Sequence, residues 1–351
     1  MHLNTPTPTK APAENISPTE RGRTSTISLW ISGFAVLAAL VLVVLKFGEL
    51  KHFVRLLNQA RPWWLAVGFL LQLITYLCAA AVWHRCLKHS GHPVSLRSLY
   101  PLGLAKLFTD QALPSGGLSG SAVIVSSLMR RGVPPHLVMG SLLVGLVSFF
   151  ASYLIMVLAT VLLLWLHHEI HPVFLAITAI FSIAAVGIPL GILWVKNRTT
   201  RPIPQIILRV PGTRFLLDAI SQAPEGLFRD FPLVIQSTAL QSMVFLLDAG
   251  TLWAMLLAIG QPAGFSVAFP AFIAASVVTT VGPVPLGLGT FEATCVATQH
   301  MLGVPVEAAL TATLLLRGVT FWIPMLPGSW LARRAVRIEK SAQGSQIDFW
   351  I

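Results

Sequence analysis

Apolar runs long enough to cross a lipid bilayer recur along this chain, and they leave few folds open to it. Ile27–Leu45, Pro62 to about Trp83, Pro135–Leu166, Pro172–Val195, Leu233–Gly260 and Val306–Leu326 each read as such a run, and ~20 helical residues cross the hydrocarbon core. Backbone in hydrocarbon must satisfy its own N–H and C=O groups, so these runs are expected to be helices. Charged residues make up 11% of the chain and mean hydropathy is +0.75, whereas soluble domains carry about 25% charged residues. The sequence therefore reads as an all-α, polytopic helical membrane protein.

The net charge of +11 raises nucleic acid as a partner. The basic residues instead fill short loops between apolar runs, the pattern that orients membrane proteins, and no aromatic-basic interleaving resembles a single-strand binding surface. With the N-terminus inside, six crossings, and two hairpins that return to their own side, 18 of the 24 Lys and Arg face the cytoplasm. Both termini are accordingly expected on the cytoplasmic side of the cell (inner) membrane. Lys46, Lys51, Arg55 and Arg61 oppose the rule, and all four lie in an expected interfacial helix.

Residues 1–26 and 339–351 read as polar cytoplasmic tails around a membrane domain at 27–338. Within it, 98–129 and 267–301 are apolar, but each is broken by glycine and proline into pieces too short to span. They are expected to be re-entrant helical hairpins. Pro114–Pro134 and Pro285–Pro305 align without a gap 171 residues apart and share seven identities in 21 positions, including both proline ends and Gly-Val-Pro. The charge count makes the two hairpins enter from opposite faces. Halves at about 62–166 and 233–326 then form an inverted repeat, an architecture common in secondary transporters.

Chemistry concentrates at the breaks. Gly116, Gly117 and Gly120 precede one short helix, and Gly287 and Gly289 precede the other. A buried helix N-terminus presents free N–H groups and partial positive charge, a ready site for phosphate or carboxylate; the plainer reading is close helix packing at small residues. Arg317 lies mid-span, where a charge costs at least ~2.5–3.5 kcal/mol and calls for a partner. Glu292 is the first candidate and Asp248 the second. Lys106 and Asp110, four residues apart, are expected to pair on one helix face. His167, His168 and His171 read as interfacial polar residues rather than metal ligands, and Cys78, Cys86 and Cys295 as small hydrophobes. No nucleophile-base constellation, nucleotide loop or cofactor motif is present in the sequence, so no cofactor and no enzymatic activity are expected.

LPSGGLSG (113–120), RRGV (130–133), GLGTFEA (287–293), LGV (302–304) and LLRGVTFWIPMLPG (315–328) resemble the transmembrane family of lysylphosphatidylglycerol synthase/flippases. The resemblance covers about residues 27–338. The family pattern P-x-x-G-G-x-G-x-x-E stands here as Pro283, Leu286-Gly287, Gly289 and Glu292, with leucine in place of the first glycine. The resemblance implies an integral membrane protein with lipid as its partner and lipid translocation in some members. Aminoacyl transfer in the synthase members resides in a following soluble domain, so here such chemistry is expected to be absent or to come from a separate lipid-modifying enzyme. The reading is a translocase that binds the anionic head of a phospholipid or polyprenyl-phosphate lipid. Its rivals are a membrane glycosyltransferase acting on lipid-linked sugar and a non-catalytic partner of a lipid-modifying enzyme.

Overall fold

Every element among the described residues is helical, as backbone held in lipid requires. The computed structural model describes residues 60–112, 118–166, 230–281 and 287–324, with isolated positions between 179 and 191 and at 327. The expected tails, the span 27–45, most of the span 172–195, the interfacial segments, the histidine loop, Gly116 and Gly117 lie outside these residues. So do the centres of the two breaks, 113–117 and 282–286.

Four helices form the first half: α1 (Pro62–His89), α2 (Leu96–Ala112), α3 (Leu118–Arg130) and α4 (Pro135–Leu166). The second half repeats the order with α5 (Phe231–Ala258), α6 (Phe265–Val281), α7 (Thr290–Met301) and α8 (Val306–Arg317). The correspondence is close. Both α1 and α5 have 28 residues and a proline in the first turn, where its missing N–H has no helical partner to lose. Both α2 and α6 have 17 residues with an interior proline, Pro101 and Pro270. Pro62 and Phe231, like the two interior prolines, stand 169 residues apart.

The helix ends repeat as well. Gly91 and Gly260 terminate α1 and α5 at φ 79° and 80°, and the N–H groups of Gly91 and His92, like those of Gly260 and Gln261, return to carbonyls of the last turn. That is the left-handed glycine stop, which satisfies orphan carbonyls. α1 also runs further than its apolar residues foretell. Arg85, Lys88 and His89 extend it to His89, because cationic side chains are favoured at a helix C-terminus.

Among the described residues three helices, α1, α4 and α5, are long and apolar enough to cross a membrane. Their large exposed side chains, among them Leu70, Leu73, Leu158 and Leu162, suit a hydrocarbon solvent. α1 and α5 pack most extensively and run antiparallel. The N–H of Arg61 at the start of α1 bonds the carbonyl of Ala258 at 2.8 Å, and His89 Nε2 at its end lies 2.6 Å from Asp230 Oδ2. Small residues make the contact close. A Cβ on Gly68 would meet the terminal methyl of Met255, and Gly250 lies against Leu71, as helix pairs in lipid prefer. The core beyond this seam is aromatic, with Tyr153 of α4 set against Phe245 of α5 at 4.7 Å between ring centroids.

The last span departs from expectation. Instead of one regular helix over Val306–Leu326, α8 stops at Arg317 and Gly318–Trp322 winds as a π-helix. Such a wide turn inside a helix is rare and concentrates at functional sites.

Candidate functional site

The second break delivers its polar groups to one point. Gly287 and Gly289 take φ of 61° and 80°, a left-handed conformation that costs other residues roughly 1–2 kcal/mol. Gly287 also has no room for a side chain, since a Cβ there would overlap Thr279 of α6. With the chain turned so sharply, α7 begins at Thr290 and Glu292 falls in its first turn. Glu292 Oε2 accepts the N–H of Gly289 at 2.7 Å. This is half of a capping box, because a glycine N-cap has no side-chain oxygen to return.

The other carboxylate oxygen meets the arginine. Arg317 Nε donates to Glu292 Oε1 at 2.6 Å, with the two side chains 13% and 2% exposed. The guanidinium lies between two rings, 4.7 Å from the centroid of Phe291 and 5.1 Å from that of Phe321. Both distances are within cation–π range, and Arg uses a flat face there that Lys lacks. Gly303, at φ 89°, turns the chain between α7 and α8. Gln299 Nε2 then ties the helices by donating to Thr313 Oγ1 at 3.0 Å. The π-helical turn begins directly after Arg317 and carries Phe321 to the ring stack.

Of the expected site residues, the structure joins Gly289, Glu292 and Arg317 and sets Gly287 at the turn that precedes them. It does not join Asp248 to Arg317; Glu292 takes that place. Asp248 is on α5, where Gln72 and Thr75 of α1 face its carboxylate. Gly120 is buried on α3 in the other half. Lys106 is partly buried on α2, and the side chain of Asp110, its expected partner, lies outside the described residues. Among the described residues no cluster of His, Cys, Asp and Glu could hold a metal ion.

The sequence reading does not single out Phe291 and Phe321, which nothing in the sequence sets apart from other aromatics of the spans. It also passes over Gln72, Thr75 and Tyr76. Their signal was visible: three polar-tipped residues within five positions of an otherwise apolar span, QLITY.

This fold and site define an integral membrane protein of the helical class, with a charge pair buried beside a helix break. Its family follows from comparison with known proteins. The model of the family described as the lysylphosphatidylglycerol synthase TM region matches residues 30–328, and the chain belongs to that family. It is also similar to UPF0104 membrane protein MJ1595 of Methanocaldococcus jannaschii, with 21% identity over 318 residues, 87% of this chain and 93% of the relative.

Proposed function

We propose that this protein is a lipid translocase that holds the anionic head of a phospholipid or polyprenyl-phosphate lipid at Arg317. The observation that carries the reading is the Glu292–Arg317 pair. A buried ion pair is a poor device for stability, since desolvation of both charges offsets their attraction, so its presence at a helix break points to use. The start of α7 and the arginine already grip an oxyanion, the carboxylate of Glu292. A lipid phosphate offers the same oxygens with more charge, and a guanidinium can bind it in a planar fork. In this mechanism Glu292 is a resident stand-in. It neutralises Arg317 while no lipid is bound and yields the guanidinium to the headgroup when one enters.

The repeated order of helices supports a transport role. Equivalent helices α1 and α5 run antiparallel, as an inverted repeat demands. The matched prolines and glycine stops fit two re-entrant hairpins, α2–α3 and α6–α7, inserted from opposite faces. With about six spans and both termini in the cytoplasm, the two halves could expose one central site alternately to either side. Chemistry on the lipid belongs, in this reading, to a separate enzyme.

The test is purification of the intact chain followed by mass spectrometry of the lipids that remain bound, with translocation of the same lipids measured in liposomes. Enrichment of phosphate-bearing lipids, lost in Arg317→Gln, is the expected result. Retention of the same lipids by that variant, or turnover of a lipid-linked sugar by the pure protein, would overturn the reading.

A further inference from the structure

A second polar group lies in the same membrane interior and takes no part in the site above. Asp248 stands well inside α5, and its Oδ1 has essentially no accessible surface and no hydrogen-bond partner. Gln72 of α1, 4% exposed, faces it and likewise keeps an unpartnered acceptor, Oε1. Thr75, 3% exposed, approaches from one helical turn along, but its hydroxyl is engaged by the carbonyl of Leu71 at 3.1 Å. Two oxygen acceptors of the cluster, Asp248 Oδ1 and Gln72 Oε1, are thus left without a donor, while Gln72 and Thr75 are the hydrogen-bonding side chains beside the carboxylate. Among the described residues Tyr76 is the titratable group beside it, with Tyr100 of α2 beyond. Among the described residues no basic side chain acts on the carboxylate.

We propose that Asp248, with Gln72 and Thr75 around it, binds and releases one proton within the membrane, and that Tyr76 couples this site to Arg317. An ionised carboxylate inside a membrane without a cationic partner is disfavoured, and one proton supplies a donor for the unpartnered oxygens. It forms the O–H of the carboxylic acid and gives the cluster a hydrogen bond; on release it passes to water and leaves the carboxylate. The structure supplies a route for the coupling. Tyr76, on the turn of α1 that faces Asp248, donates its hydroxyl to the carbonyl of Thr320 at 3.2 Å. Thr320 belongs to the π-helical turn that follows Arg317. A change of charge at Asp248 thus acts on the backbone that positions Arg317 and Phe321. The proton site stands apart from the lipid reading; only its coupling to Arg317 rests on that reading.

The experiment is infrared difference spectroscopy of the intact protein in lipid nanodiscs, between acidic and alkaline buffer. A protonated-carboxyl C=O band is expected that vanishes in Asp248→Asn and shifts in Gln72→Leu, which removes the facing amide. Absence of a pH-dependent band, its survival in a folded Asp248→Asn protein, or its removal by sodium at constant pH would overturn the proton site. If Asp248→Asn does not accumulate, Gln72→Leu decides: a band left at its original position defeats the proposal. For the coupling, retention of phosphate-bearing lipid is measured against pH. Tyr76→Phe should keep the band and lose the pH dependence of retention, and pH dependence that persists in Tyr76→Phe would refute it. A protein that shows the band but retains no such lipid at any pH would sink the lipid reading and this coupling, and leave the proton site standing.

Discussion

Replacing Arg317 with glutamine separates what the arginine does for the fold from what it does for a ligand. Glu292 is 2% exposed, so Arg317→Gln leaves a carboxylate in the protein interior without its cation. Losing one partner of a buried pair costs about 3–5 kcal/mol. One bond survives here, from the N–H of Gly289 to Oε2 at 2.7 Å, and a charge-assisted bond of that kind contributes about 1.5–3 kcal/mol. The expected loss therefore falls at the low end, ~3 kcal/mol, or on the order of a hundredfold in the folded-to-unfolded ratio. Adding Glu292→Gln removes the stranded charge while its amide oxygen can still accept from Gly289. The double variant should thus recover most of the stability. It should not recover lipid retention, because no guanidinium remains. Chemical unfolding in bicelles reads the first quantity, and mass spectrometry of bound lipid reads the second. A double variant that regains stability and retains phosphate-bearing lipid as the native protein does would refute the reasoning, and the pair would be structural alone.

Three further perturbations follow from the same contacts. Gly287→Ala forces a side chain onto φ 61° and into Thr279; it should destabilise by about 1–3 kcal/mol, and Thr279→Ala should restore only part, with full restoration contradicting the backbone argument. At Gly68 the obstructing atom is the flexible end of Met255, so Gly68→Ala should shift unfolding by less than about 1 kcal/mol, whereas Gly68→Leu should pry α1 from α5 and cost roughly 1–3 kcal/mol. Asp230 both accepts the N–H of Leu233 at 3.1 Å and meets His89 in an exposed contact. Loss of the cap costs about 1 kcal/mol and loss of such a pair less, so Asp230→Ala should destabilise clearly and Asp230→Asn, which keeps the cap, far less; equal effects would show the ion pair to dominate.

Much of this fold was legible because lipid simplifies the code. A helix that must satisfy its own backbone announces itself by length and apolarity, and α4 is one 32-residue helix over the same residues as its apolar run. The short helices were legible for the opposite reason. Pro-Gly clusters in apolar sequence readily interrupt a helix, and the starts of α3 and α7 fall within a few residues of those clusters. The π-helical turn was not legible, because a single glycine at the head of GVTFW is equally compatible with regular winding. Two tertiary contacts meet this turn, the ring of Phe321 against the guanidinium and the Tyr76 bond to the Thr320 carbonyl. Arg317 could be singled out because charge in a span demands a partner. The sequence ranks Glu292 first, on the short helix after the glycine break, and Asp248 second, and the Arg317–Glu292 pair makes the choice for Glu292.

That choice bears on how the molecule could work. Had Arg317 paired with Asp248, Glu292 would have been the acid left over, at the glycine turn rather than between the two long helices. Pairing with Glu292 keeps the arginine neutralised beside the glycine turn and leaves the other acid on the α1–α5 seam. The seam is also where the equivalent helices of the two halves meet, held at one end by the Arg61–Ala258 bond and at the other by His89 and Asp230. A charge that appears or disappears at Asp248 therefore acts on the contact about which the halves would have to move. It also acts, through Tyr76, on the turn behind Arg317. Under the two proposals the acids divide the task, Glu292 holding the place of a headgroup and Asp248 taking up and releasing a proton on the seam.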